Sequence, residues 1–486
     1  MEGKAKTGIS PTRAEDFPQW FQSVVRDAEV AELDHVRGSM VIRPWGYGIW
    51  ELMQRALDDG IKETGASNAY FPLFIPLSYF EEEAKHVEGF AKEMAVVTHH
   101  RLEQGEDGKL HPAAELPEPL IVRPTSETVI GRSFAKWINS YRDLPLMVNQ
   151  WCNIVRWELR PRVLLRTTEF LWQEGHTAHA TYDEAQAETL QMLEVYRGFM
   201  EDTLAVAVVT GEKSARERFA GADRTYTCEG LMGDGKALQM GTSHNLGHNF
   251  ARAFDITYLS AQGTREHVAT TSWGSSMRML GGVIMVHGDD HGLRLPPAIA
   301  PYQVVLLALA EGEPARLVDK LAHELRAEGV RAHVDNRTHL SFGRRSIDWE
   351  LKGVPVRIEL GRRELAAGQA TLVRRDTRAK EPVPVDGVVR AARQLLDQLQ
   401  GDLHAESLRF REEHTQEVSS LEEFRERIGD GGFFRLLWCG SDQCEEALGA
   451  GTGASIRAIL AEEPSGGACL ADGAPGRHVV LVAKAY

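Results

Sequence analysis

Arg156-Trp-Glu158, then Leu-Arg-Pro-Arg-Val-Leu-Leu, then Arg166-Thr-Thr-Glu-Phe170: the rest of the chain is read outward from this stretch. Within these fifteen residues Arg156 and Arg166 bring guanidiniums, Glu158 a carboxylate and Phe170 an aromatic ring. A guanidinium engages two anionic oxygens at once and relieves the repulsion between anions brought together. An aromatic ring offers a flat base a stacking face. Arg-x-Glu by itself is an ordinary surface pair; the second half at this distance gives it weight.

The chain has 486 residues, 43% hydrophobic and 26% charged, which is globular composition and too long for a single core. No run approaches the ~18 apolar residues of a membrane span. The N-terminal stretch MEGKAKTGISPTRAEDFPQW lacks the apolar centre of a secretory signal. Five cysteines are too few and too unevenly spaced for a disulfide framework, so a cytoplasmic location is expected. The net charge of −15 argues against broad attraction to nucleic acid or anionic membrane. It leaves room for a local site, because screening confines charge effects to roughly 10 Å. Residues 331–380 carry twelve Lys/Arg against six Asp/Glu, either a solvated face or a nucleic-acid footprint.

From residue 48, Ile49, Leu52, Met53, Ala56, Leu57 and Ile61 have the spacing of an amphipathic helix ending near Gly65. Asn68–Pro76 reads as a strand closed by proline. Thr181-Tyr-Asp-Glu184 fits a capping box. After Leu295-Pro-Pro-Ala the pattern changes to strand 303–309, helix 314–328, strand 331–334, helix 341–352 and strand 355–360. That alternation predicts a small α/β domain with its own sheet. Residues 388–428 read as a charged helical connector, and the last ~50 end on the strand VVLVAKAY.

The opening stretch is similar to the second signature motif of class II aminoacyl-tRNA synthetases, here about 152–176. The helix and strand at about 38–76 resemble their first motif, which builds a dimer interface. Trp273-Gly-Ser-Ser-Met-Arg278 resembles the third, about 271–297. More specifically, Val122-Arg-Pro-Thr125-Ser-Glu127-Thr, Phe219-Ala-Gly-Ala-Asp and Gln239-Met-Gly-Thr242-Ser-His244-Asn-Leu-Gly resemble segments of prolyl-tRNA synthetases. The resemblance runs from about residue 20 to Tyr486 and is strongest to the archaeal and eukaryotic-like type. It implies an α/β (α+β) protein: an antiparallel-sheet catalytic domain at 1–300, a small α/β anticodon-binding domain at 301–400 and a small α/β C-terminal domain at 401–486.

The same resemblance implies proline activation with ATP and Mg²⁺, transfer to tRNA(Pro), and a homodimer. Arg156 would be catalytic. Thr125, Glu127, Arg156, His244 and Ser276 would meet proline, with Trp172 and Trp273 as walls. Arg156, Glu158, Arg166, Phe170, Gln239, Thr242 and Arg278 would meet ATP. Glu350, Arg357 and Arg363 are expected anticodon readers, and the tail at Tyr486 is expected to reach the catalytic domain. Cys439, Cys444, Cys469 and Asp472 stand where many relatives place four cysteines around zinc; a Cys₃Asp zinc site and a metal-free tail both stay open. The 107 residues between Phe170 and Arg278 leave no room for a large editing insertion. Another synthetase of the class remains the alternative. A non-catalytic relic would be expected to have lost the phosphate-binding arginines 156, 166 and 278.

Overall fold

The computed structural model describes residues 8–84 and 93–486; the first seven residues of the stretch read for a signal lie outside these. Its centre is an antiparallel sheet in the order Val208–Glu212, Arg224–Leu231, Ala237–Gly247, Ala269–Ser276, Glu169–His179, Leu146–Val155. Ser67–Asn68 adds a short parallel edge beside Val148. At the other edge Ile459 pairs with Glu212, and the sheet continues into the C-terminal strands, eleven in all.

Helix Tyr182–Gly198 packs across the back of this sheet and opens with the expected Thr181/Glu184 capping box. Helix Pro44–Glu63 packs against it, burying Ile49, Met53, Leu57 and Ile61 at intervals of four. Each such side chain contributes about 2 kcal/mol by leaving water. The helix begins four residues before the expected start, because Pro44 suits its first turn, where a missing N–H costs nothing. The expected strand 68–76 is not continuous. Asn68 ends the edge strand of the central sheet, and only Phe74–Pro76 pairs with Leu110–Val122 in a separate three-stranded sheet. Pro72, between the two pieces, has no N–H for either ladder.

Beyond residue 300 the expected alternation appears as strand Val304–Ala308, helix Glu313–Ala327, strand Ala332–Val334, helix Phe342–Leu351 and strand Val356–Leu360. These three strands run parallel, and Gln369–Arg374 and Lys380–Pro384 extend the sheet antiparallel. The connector differs from expectation. Helix Val388–Glu413 crosses residue 400 unbroken, then Thr415–Glu417 joins the C-terminal strands before helix Leu421–Arg427. No helix among the described residues is long and apolar enough to cross a membrane.

Candidate active site

Strand alternation decides what faces the cleft. Trp172, Glu174 and His176 project from one face of Glu169–His179, joined by Thr225 and His244 from the strands beyond Ala269–Ser276 and by Arg156 at the end of Leu146–Val155. They line a cavity of about 260 Å³ that also takes in Thr125, Glu127, Gln239, Thr242, Ser276 and Arg278. A second cavity of about 190 Å³ opens beside it, lined by Glu158 and Arg166 and sharing Arg156, Phe170, Ser276 and Arg278 with the first. Every expected proline and ATP residue therefore lies in one of two connected spaces, and Arg156 stands at their junction.

Arg156 is accessible within the cleft. Its Nε donates to the Pro124 carbonyl at 3.0 Å, and its guanidinium lies 5.3 Å from the Trp172 ring and 5.8 Å from that of Phe170. The dense walls lower its pKa by desolvation, partly offset by the charges of Glu127 and Glu174. Arg278 Nε donates to Leu165 O at 3.0 Å. Desolvation, then repulsion from Arg156 and Arg166, pulls its pKa down to about 10. Neither arginine has a carboxylate within ion-pairing distance among the described residues. Arg166 is exposed and pairs with Glu158 at 3.2 Å.

The inner end is acidic. Thr125 Oγ1 donates a short hydrogen bond to Glu127. Thr125 does not cap the helix Glu127–Trp137; the N-cap residue is Ser126, and its hydroxyl goes to Glu174 instead of to the helix. Forgoing that cap costs about 1 kcal/mol. Glu174 also accepts from Gln150 Nε2 at 2.7 Å and lies 3.1 Å from His176 Nε2. Burial opposes the charged forms of both, but their mutual bond outweighs it, leaving Glu174 below its ordinary pKa and His176 above. His244 behaves oppositely: burial, then the charge of His176, pulls it down to about 3, so it is neutral. It shares a 3.0 Å hydrogen bond with Thr225 and packs against the Phe219 ring at 4.6 Å. Trp172 Nε1 and Ser272 Oγ are buried without a partner among the described residues, as donors waiting for a ligand would be.

Glu174 and His176 were not singled out from the sequence, although the two-residue period from Trp172 points to them. Trp273 borders the cavity as expected, but its indole ring is buried. Its ring points behind the sheet, 1% exposed, with Nε1 bonded to Glu188 at 2.8 Å. It lies so close over Gly175 that a Cβ there would stand 2.0 Å from the indole.

The other expected sites are dispersed. Arg363 is exposed, Arg357 pairs with Glu359 at 2.9 Å, and Glu350 lies 3.9 Å from His291. Cys439, Cys444, Cys469 and Asp472 converge, with their ligand atoms all within 4.8 Å of one another. Tyr486 reaches the catalytic domain, where its hydroxyl donates to Asp234 at 2.7 Å and its N–H to Ala237 O. Between Phe170 and Arg278 the chain forms strands of the central sheet, its covering helices, one small hairpin and the loops that join them.

Residues 111–287 match the family model described as tRNA synthetase class II core domain (G, H, P, S and T), and 303–395 match the anticodon binding domain. Residues 421–486 match the model described as Prolyl-tRNA synthetase, C-terminal. "Proline--tRNA ligase 2" of Streptomyces avermitilis is 53% identical over 485 residues, covering 99% of this chain and 100% of its own length. "Proline--tRNA ligase" of Porphyromonas gingivalis is 52% identical over 483 residues, 98% of each chain, and that of Paramagnetospirillum magneticum 50% over 502 residues, 100% of each. With this identity from end to end and the three family models matched in order, the chain belongs to the prolyl-tRNA synthetases of class II, in the archaeal and eukaryotic-like type.

Proposed function

We propose that the chain activates L-proline with ATP to prolyl-adenylate and pyrophosphate, then transfers proline to the 3′-terminal adenosine of tRNA(Pro). The observation that carries this reading is the unpaired Arg156 guanidinium at the junction of an acidic, Thr125/Glu127-lined cavity and an Arg166/Arg278-lined one. Proline's secondary ammonium has two N–H donors, which suit the Glu127 carboxylate and the Thr125 hydroxyl. Its ring suits the Trp172 and Phe219 faces, with neutral His244 and Ser276 beside it.

No general base is needed, because an α-carboxyl group titrates near about 3.5 and proline's is therefore ionised at neutral pH. Arg156 brings that carboxylate to the α-phosphate. A carboxylate oxygen bonds to phosphorus as the bond to the bridging oxygen breaks, and that electron pair leaves with pyrophosphate. Arg166 holds the outer phosphates, Phe170 stacks on one face of adenine, Arg278 packs over the other face and contacts phosphate, and Glu158, Gln239 and Thr242 orient the nucleotide. Mg²⁺ arriving with ATP supplies further phosphate neutralisation. Rate acceleration comes from positioning and preorganised charge.

Residues 301–400 are assigned to anticodon binding and 401–486 to the C-terminal domain, with helix Val388–Glu413 shared across their boundary. Proline anticodons supply two guanines, which suit carboxylate and arginine readers; Glu350, Arg357 and Arg363 take that role. A homodimer through the segment 38–76 is supported by exposed Tyr70 and Phe74 there, and a cytoplasmic location by the activity itself. Cys439, Cys444, Cys469 and Asp472 are assigned to Zn²⁺. Three thiolates and a carboxylate match its tetrahedral preference, in which ligand atoms stand roughly 3.8 Å apart. Zinc there would tie helix Asp442–Gly449 to the 469–472 turn. Elemental analysis lacking stoichiometric zinc would remove that assignment.

ATP–pyrophosphate exchange measured across the twenty amino acids tests the activity: proline is expected to dominate, and silence with proline sinks the reading. Alanine is expected as a weaker substrate, because a pocket excludes smaller competitors poorly.

A further inference from the structure

The C-terminal segment grips the catalytic domain at the loop that closes the main cavity. Lys213 is 1% exposed, and its Nζ lies 2.8 Å from Glu229 Oε1. Arg457, from the strand Ala454–Ile459, bonds the same carboxylate through Nε and Nη2, at 3.0–3.1 Å. It sits at the irregularity between Ile456 and Ala458 in the pairing with His478–Lys484, where a bulged residue turns out of the ladder. Next along the loop, Ser214 is 1% exposed and donates to Glu445 Oε1 at 2.7 Å. Arg216 pairs with Glu446 at the surface. Glu445 and Glu446 follow Cys444 on the helix Asp442–Gly449.

The same loop then enters the cavity. A turn from Ser214 O to Glu217 N brings Glu217 and Phe219 into its lining. Phe219 N donates to Thr225 Oγ1 at 3.0 Å, the hydroxyl that also bonds His244, and its ring packs on the His244 ring. Glu445 is thus one loop away from substrate and does not line the cavity.

We propose that Glu445 is a positioning residue, which holds the 213–219 loop through Ser214 so that Phe219 closes on His244 and thereby sets substrate affinity from the C-terminal segment. This rests on the cavity being the proline site. When only a fraction of molecules hold the loop in place, apparent affinity falls by that fraction, while saturating substrate draws the loop back. KM then rises and kcat holds. Loss of a merely structural contact lowers the active fraction instead, so kcat falls at unchanged KM. Arg457 bonds Glu229 and Ser455 and no residue of the loop, so the buried hold on the loop is the Glu445–Ser214 bond.

The test is proline-dependent exchange by the full chain, with proline varied at saturating ATP. Glu445→Leu and Ser214→Ala are each expected to raise the proline KM, by up to about tenfold, the limit set by one lost buried hydrogen bond, with kcat nearly unchanged. The double substitution should add little to either single one. Glu445→Gln, whose amide oxygen still accepts from Ser214, should restore KM. Should Glu445→Leu fail to fold, Ser214→Ala, which removes one hydroxyl, decides alone. An unchanged proline KM in Ser214→Ala overturns the proposal, whatever happens to kcat. Absence of exchange in the wild type would instead strike at the activity.

Discussion

Arginines in the catalytic cleft and arginines in the basic segment 331–380 look alike in sequence and do opposite things. In the cleft, Arg156 and Arg278 are held by single carbonyl bonds and keep their remaining N–H groups for a ligand. In the basic segment nearly every cation is already satisfied. Arg337 pairs with Asp335 and Asp348, Arg374 with Asp376 and Asp402, and Arg375 with Asp289. Arg331 bonds the carbonyls of Pro297, Ala298 and Ala300, and Lys380 pairs with Glu359. Of its twelve cations, Arg362 and Arg363 alone lack a side-chain bond among the described residues. A count of charges is therefore a poor measure of potential. What matters is whether folding supplies the counter-charge, and some of it comes from outside the window, as Asp289 and Asp402 do.

The largest effect should come from the unpaired class. Arg156→Ala is expected to lower exchange by about a thousandfold or more, since it removes charge stabilisation that the transition state needs. Its thermal melting should stay within a few degrees of wild type; near-normal exchange would take Arg156 out of the mechanism. Arg375→Ala should do the reverse. Leaving Asp289 unpaired at a largely enclosed site should cost about 2 kcal/mol in urea unfolding, with exchange per folded molecule intact.

Among the proposed anticodon readers, Glu350→Ala and Arg363→Ala are expected to lower aminoacylation about tenfold while sparing exchange. Arg357→Ala should do less, because Glu359 already occupies its Nε. Equal losses in both assays would contradict the anticodon assignment, and a larger effect at 357 than at 363 would break the distinction between paired and unpaired arginines.

The smallest effect is a slope with pH. His244 has a folded pKa of about 3, below the ordinary 6.5, so the unfolded chain binds its proton first. Its contribution is complete above about pH 6.5 and is lost as pH falls towards 3. His176 is raised, so its contribution is present below 6.5 and is lost as pH rises through its folded value. Between pH 7 and 6, His244→Asn should therefore lose about 0.7 kcal/mol less stability than wild type. Identical slopes would mean that His244 is not held neutral.

Local patterns survived into the structure where one segment carried its own instructions. The Thr181/Glu184 box, the spacing of Ile49 to Ile61 and the alternation after residue 300 were all legible, because each depends on neighbours within a few residues. The strand expected at 68–76 was not, because two different sheets claim its ends. Nor was the inward orientation of Glu174 and His176 against the outward one of Trp273, since period alone says which residues share a face but not which face meets the cleft. The unbroken helix across residue 400 follows from packing between domains that no local signal announces.

By itself the sequence determined the chemistry available to this protein: the order of Arg156, Glu158, Arg166, Phe170 and Arg278, the Thr125/Glu127 pair and the cysteine cluster. Only the tertiary structure decided which charges stay free. Neutralisation depends on groups brought together from distant parts of the chain, such as Arg375 with Asp289 and Arg457 with Glu229. Coulomb energy follows distance in space, and distance along the chain does not report it.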